Sequence, residues 1–222
     1  MKTVTLFGDS ILYGIIVDPS NLKYVKCPDY DLRRDATEIG IDLLNISQMG
    51  RNSFEGISEV KNYLTRHPAP DYAVVEFGGN DCNRDWDAII KGLSGDVKTP
   101  IEKFKNNLKE MITTLASHNT KVALMNMPPI VSLPFLNWVA QSEQSKRIIE
   151  AFLGDVEQIY KTHESYSTEI CNLAQDLSIP LIDVRAKFGC DPTPYLCIDG
   201  VHPNPDGYRL IKNELLKYLK TL

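Results

Sequence analysis

The sequence has no run of basic residues, no apolar stretch long enough to cross a bilayer, and only 4 histidines. Each shortage excludes a class of function. With a formal net charge of −5 and its Lys and Arg dispersed, the chain has nothing to track a phosphate backbone, so nucleic acid is not an expected partner. Lys212, Lys217 and Lys220 instead fit the solvated face of a terminal helix, favouring its C-terminal dipole. A spanning helix needs about 20 consecutive apolar residues, and none occurs, so no membrane partner is expected. Met1 to Phe7 enters an apolar strand-like run without the cationic region and cleavage site of a secretory leader, and none is expected. The 5 cysteines (Cys27, Cys82, Cys171, Cys190, Cys197) lack the close pairing of a zinc site or a Cys-x-x-Cys motif. They are expected as free thiols in a reducing cytoplasm. Internal repeats, linkers and low-complexity tracts are missing as well.

What is present describes one domain over residues 1–222, a length that buries roughly 70% of the unfolded chain's surface. Thr3 to Phe7, Leu43 to Ile46, Tyr72 to Phe77, Val122 to Met125 and Leu181 to Val184 read as short strands. Their apolar character does not alternate, as expected when both faces of a sheet are covered. Helical patterns lie between them. Thr99-Pro100-Ile101-Glu102 spells a capping box ahead of an apolar face at Ile101, Phe104, Leu108, Met111, Ile112 and Leu115. Ile57, Val60 and Leu64 form a weaker stripe, and a longer helical region from Gln141 to Leu177 breaks near Gly154. Asn204-Pro205 opens a last helix with Tyr208, Ile211, Leu215 and Leu219 on one face. Alternating strands and helices imply a five-stranded parallel sheet inside a three-layer α/β/α sandwich. Asp18 to Arg34 is too polar for a core strand and fits a flap.

Such sheets carry their chemistry at the carboxyl ends of the strands. Those ends supply Gly8-Asp9-Ser10, Gly50, Gly78-Gly79-Asn80-Asp81, Met127-Pro128-Pro129 and Asp199-Gly200-Val201-His202. Two roles fit Ser10, a nucleophile on a tight strand exit opened by Gly8 or the N-cap of the next helix. His202 follows Asp199 by three positions, so one short loop can present carboxylate and imidazole to each other. His67, His118 and His163 are expected at the surface. Acyl transfer also needs donors for the developing oxyanion, each typically lowering the barrier by about 2.7–4 kcal/mol. The Ser10 and Gly50 amides and the Asn80 side chain are candidates, although Gly and Asn also populate turns for local reasons.

Taken in order, these blocks resemble the SGNH hydrolases, also called GDSL-type esterases and lipases. Gly8-Asp9-Ser10 resembles the first block, with Ile11 in place of the commoner Leu. Gly50 within Gln48-Met49-Gly50-Arg51-Asn52 resembles the second, Gly78-Gly79-Asn80-Asp81 the third, and Asp199-Gly200-Val201-His202-Pro203 the last. The resemblance implies a flavodoxin-like fold and hydrolysis of esters or thioesters with no metal or cofactor. It also implies a catalytic triad of Ser10, His202 and Asp199, and an oxyanion hole of Ser10, Gly50 and Asn80. Trp86, Pro129, Ile130 and Val201 are expected around the substrate, a small soluble short-acyl ester such as a carbohydrate acetyl ester. A thioesterase, lysophospholipase or acyltransferase could use the same triad. A metal-dependent phosphoesterase would need more histidines than the one in this cluster, and a non-catalytic binding domain need not keep the triad. Oligomeric state stays open.

Overall fold

The structure, a computed structural model, describes residues 1–222. Along the chain run β1 (Lys2–Gly8), α1 (Ser10–Tyr13), β2 (Ile15–Val17), β3 (Tyr24–Lys26), α2 (Leu32–Glu38) and β4 (Ile41–Asn45). They are followed by α3 (Ser53–Arg66), β5 (Tyr72–Glu76), α4 (Trp86–Ile90), α5 (Ile101–Ser117) and β6 (Lys121–Met125). The last third holds α6 (Ser132–Val139), α7 (Glu143–Leu153), α8 (Gln158–Asp176), β7 (Leu181–Ile182) and α9 (Pro205–Leu219).

The five sheet strands lie in the order β4-β1-β5-β6-β7, all parallel. That order is the flavodoxin-like one, with its switch point beside β1. Side chains alternate across the pleat and feed two separate cores. Val4, Leu6, Leu43 and Val74 join α2 and α9 through Leu32, Ala36, Ile211 and Leu215. Phe7, Ala73, Val75 and Leu124 join α3, α5 and α8 through Val60, Leu108, Met111 and Ile170. The expected three layers are therefore present. No helix is long and apolar enough to cross a membrane.

Several sequence expectations change at this level. Asp18 to Arg34 supplies no strand of the main sheet, in keeping with its polarity, and adds only the exposed β3, which pairs antiparallel with β2 in a small hairpin. The Thr99 capping box does not form. The helix starts from Pro100 with no side-chain cap, while the Thr99 amide is turned toward the Asp81 carbonyl. Gly8 has ordinary dihedrals and is required for space instead, since a Cβ there would lie 2.9 Å from both the Glu76 carbonyl and its carboxylate. His163 is buried, unlike His67 and His118, which are exposed as expected.

Candidate active site

Ser10 owes its availability to Asp9. The Asp9 Oδ1 accepts the Ile11 amide at 2.9 Å and caps α1, so the Ser10 hydroxyl is not consumed as a cap. Ser10 Oγ lies 3.0 Å from His202 Nε2, and His202 Nδ1 lies 2.6 Å from Asp199 Oδ2. The other Asp199 oxygen accepts the Val201 and His202 amides at 3.1 and 3.0 Å, which folds the Asp-x-x-His segment into a tight turn. Gly200 is obligatory in that turn. Its φ is +67°, and a Cβ would meet the Val131 carbonyl and Pro134 at 2.8 Å. Asp199 is 1% exposed, Ser10 7% and His202 8%, so the relay is shielded while a small opening remains at the hydroxyl and ring.

Gly50 has φ +83° and would meet nothing within 4 Å if it carried a Cβ, so its need for glycine is conformational and not steric. Its amide makes no hydrogen bond within the protein, and neither can the amide of Ser10, the first residue of its helix, within that helix. Asn80 differs. Its Nδ2 donates to Asp9 Oδ2 at 3.1 Å and to the Arg51 carbonyl at 2.9 Å. Both partners only accept, which fixes the orientation of the amide. Service to an oxyanion therefore requires Asn80 to share or release one of these bonds.

Two carboxyl groups that sequence reasoning left without a role hold this arrangement. Glu76, hidden in the apolar run of β5, accepts the Asp9 amide at 3.4 Å. Burial, followed by the neighbouring Asp9 charge, pushes the Glu76 carboxyl well above the usual carboxylate range. Burial likewise pushes Asp9 up to about 6, against hydrogen bonds from Ile11 and Glu76. Glu76 thus keeps its proton when Asp9 is ionised. Asp81 accepts the Ser53 amide and hydroxyl, the latter at 2.6 Å, and so ties the Asn80 loop to the start of α3 behind Gly50. Burial raises the Asp81 carboxyl also.

A cavity of about 280 Å³ opens over the serine and contains Ser10, Gly50, Asn80 and His202 in its wall. Trp86, Ile130 and Val201 line it as expected, together with Met127, Pro128, Phe135 and Trp138. Pro129 does not; it lines a separate depression beside Tyr160 and Arg185. The β2–β3 hairpin also reaches this mouth. The Tyr24 ring centroid lies 5.1 Å from that of His202, and the Tyr24 hydroxyl accepts Trp138 Nε1 at 2.8 Å. Two segments distant in sequence thus meet above the imidazole. Arrays of this kind suit attack by a serine hydroxyl on an acyl carbon, with the imidazole as proton carrier.

Comparison with known proteins agrees with this geometry. A family model described as GDSL-like Lipase/Acylhydrolase matches residues 4–215. A GDSL esterase/lipase of Arabidopsis thaliana is 24% identical over 185 residues, covering 81% of this chain and 66% of that protein. The isoamyl acetate-hydrolyzing esterase of Saccharomyces cerevisiae is 25% identical over 134 residues, covering 58% of this chain and 51% of its own. The chain spans just under two thirds of the length of the plant relative and about half that of the yeast one. Among solved structures, a carbohydrate acetylesterase from Sinorhizobium meliloti superimposes with a TM-score of 0.70 at 15% identity, covering 100% of this chain and 99% of that one.

Proposed function

Because the chain belongs to the GDSL-like lipase/acylhydrolase family, we propose that it is a serine-dependent carboxylic ester hydrolase that works through an acyl-enzyme on Ser10. The observation that carries this reading is the unbroken relay of Ser10, His202 and Asp199 at 3.0 and 2.6 Å. In the first half-reaction Ser10 Oγ attacks the ester carbonyl and His202 Nε2 takes its proton. Asp199 holds the ring with hydrogen on Nδ1 and stabilises the imidazolium. The oxyanion is met by the free amides of Ser10 and Gly50 and by Asn80. His202 then protonates the departing alcohol, and a water attacks the acyl-enzyme by the same route reversed.

The acyl group is proposed to be short, acetyl in the first instance. The yeast relative is an isoamyl acetate-hydrolyzing esterase and the Sinorhizobium meliloti structure is a carbohydrate acetylesterase, which supports an acetyl group and admits acetyl esters of carbohydrates. The experiment is hydrolysis of p-nitrophenyl acetate, butyrate and octanoate by the wild type and by Ser10→Ala. Acetate or butyrate should be preferred, and Ser10→Ala should lose activity on all three. Hydrolysis that persists in Ser10→Ala overturns the assignment.

A further inference from the structure

His163 is the cavity residue that the hydrolytic relay leaves without a task. It sits near the start of α8, is 5% exposed, and lines the same cavity as Ser10. Arg185 Nη1 lies 3.4 Å from its Nδ1. Arginine offers only donors, so Nδ1 is the acceptor and the ring hydrogen resides on Nε2. Burial and then the Arg185 charge hold the imidazole neutral, with its pKa pushed down to about 3. The Nε2–H makes no hydrogen bond within the protein and is not among its buried unpaired atoms, so in this cavity-lining residue it is a free donor open to a ligand. The same cavity wall includes the apolar Ile130, Phe135, Val139 and Ile159, and the polar Thr162 precedes His163 on α8.

The position of this donor follows from the sheet. Arg185 comes directly after β7, whereas Ser10 follows β1, and β5 and β6 lie between. At about 4.8 Å per strand, three spacings set the chain after β7 roughly 14 Å from that after β1, so the ring that Arg185 holds belongs to the far side of the cavity from the nucleophile. Because His163 and Ser10 line one cavity from different strands' ends, an ester attacked at Ser10 can present a more distant part of itself to this donor. The charged side chains of the wall carry both signs (Asp9, Asp199 and Arg84) and Arg185 is already engaged at Nδ1, so no net charge is selected and the neutral N–H is matched by an uncharged oxygen.

We propose that the His163 Nε2–H is a specificity donor for an uncharged oxygen (hydroxyl, ether or carbonyl) on the ester held in the cavity. The substrates are then oxygen-bearing esters, not plain hydrocarbon ones. The oxygen belongs either to the acyl chain or to the alcohol, and the chemistry of recognition is the same. Arg185 is the positioning residue, since it fixes the tautomer. This inference rests on the esterase reading above.

Two matched pairs of substrates test it, with kcat/KM as the readout. The acyl pair is p-nitrophenyl 5-methoxypentanoate against heptanoate, and the alcohol pair is 4-methoxybutyl acetate against hexyl acetate. The wild type should favour the ether by about five- to tenfold in one pair, the size of a single neutral hydrogen bond. The pair that shows it identifies the source of the oxygen. His163→Phe should bring that ratio close to one, and His163→Gln, which keeps a donor, should restore part of it. A wild-type ratio near one in both pairs overturns the proposal, whether or not the variants fold. So does a ratio that His163→Phe leaves unchanged. Either result with Ser10-dependent hydrolysis intact counts against His163 alone, whereas hydrolysis surviving Ser10→Ala counts against the esterase reading.

Discussion

Asp199 grips His202 twice, through the ring at 2.6 Å and through the backbone amide at 3.0 Å, using a different carboxylate oxygen for each. The same side chain therefore sets the ring tautomer and the shape of the loop that delivers it. Asp199→Asn should retain an acceptor for the amide and lose the charge that supports the imidazolium. We expect kcat for p-nitrophenyl acetate to fall by about 10³- to 10⁴-fold. A loss of less than tenfold would contradict the relay.

Asn80 should be tested separately, because its amide already bonds Asp9 and Arg51. Asn80→Ala is expected to lower kcat by about 10²- to 10³-fold while KM changes little, as for loss of an oxyanion donor. An effect confined to KM would make Asn80 a binding or architectural residue instead.

His163 makes stability depend on acid. Its folded pKa of about 3 is below the ordinary 6.5, so the unfolded chain takes up the proton first. The contribution of the neutral buried ring is complete above about 6.5 and is lost as pH falls toward 3. Between pH 6.5 and 5 this amounts to about 2 kcal/mol. Asp9 acts oppositely, since its carboxyl is raised from 3.8 to about 6, and its contribution is complete below 3.8 and lost as pH rises to about 6. Urea midpoints at pH 7 and pH 5 should show a smaller acid loss in His163→Phe than in the wild type. An equal loss in both proteins would remove His163 as the cause.

Tyr24 covers the imidazole and accepts a hydrogen bond from Trp138. Tyr24→Ala should widen the mouth and remove apolar contact from small substrates. The expected result is a KM for p-nitrophenyl acetate several-fold higher, with the octanoate-to-acetate ratio of kcat/KM also increased. An unchanged ratio would show that the hairpin does not limit substrate size.

The readable parts of this chain are those whose physics is local. The central strands announced themselves because both faces are buried, whereas the edge strand β4 alternates buried and exposed residues; α9 announced itself because Asn204 accepts the Asp206 and Gly207 amides in the way its sequence suggests. Spacing of three residues was enough to join Asp199 to His202. The hairpin was harder to read, since β3 is exposed along its whole length and carries no apolar pattern. Glu76 was concealed by its apolar neighbours in β5, and its meaning depends on Asp9, which is 67 residues away. His163, expected at the surface, is buried against a partner, Arg185, that is 22 residues distant, beyond the rest of α8 and β7. Helical periodicity is the signal that marks it as inward-facing, since His163 lies three positions before the buried Tyr166 and seven before Ile170. Thr99 shows the reverse error, a good local signal overridden by its contact with the Asp81 loop.

The hairpin that carries Tyr24 pairs with no strand of the main sheet. Residues between Val17 and Tyr24 can accordingly be lengthened, shortened or exchanged without shifting the register of any strand that presents the nucleophile. Under the proposed function, preference for bulky or slender esters is then separable from the ability to cleave them. Loop grafting at this point offers a route to retarget the protein while its bond-breaking apparatus is inherited intact.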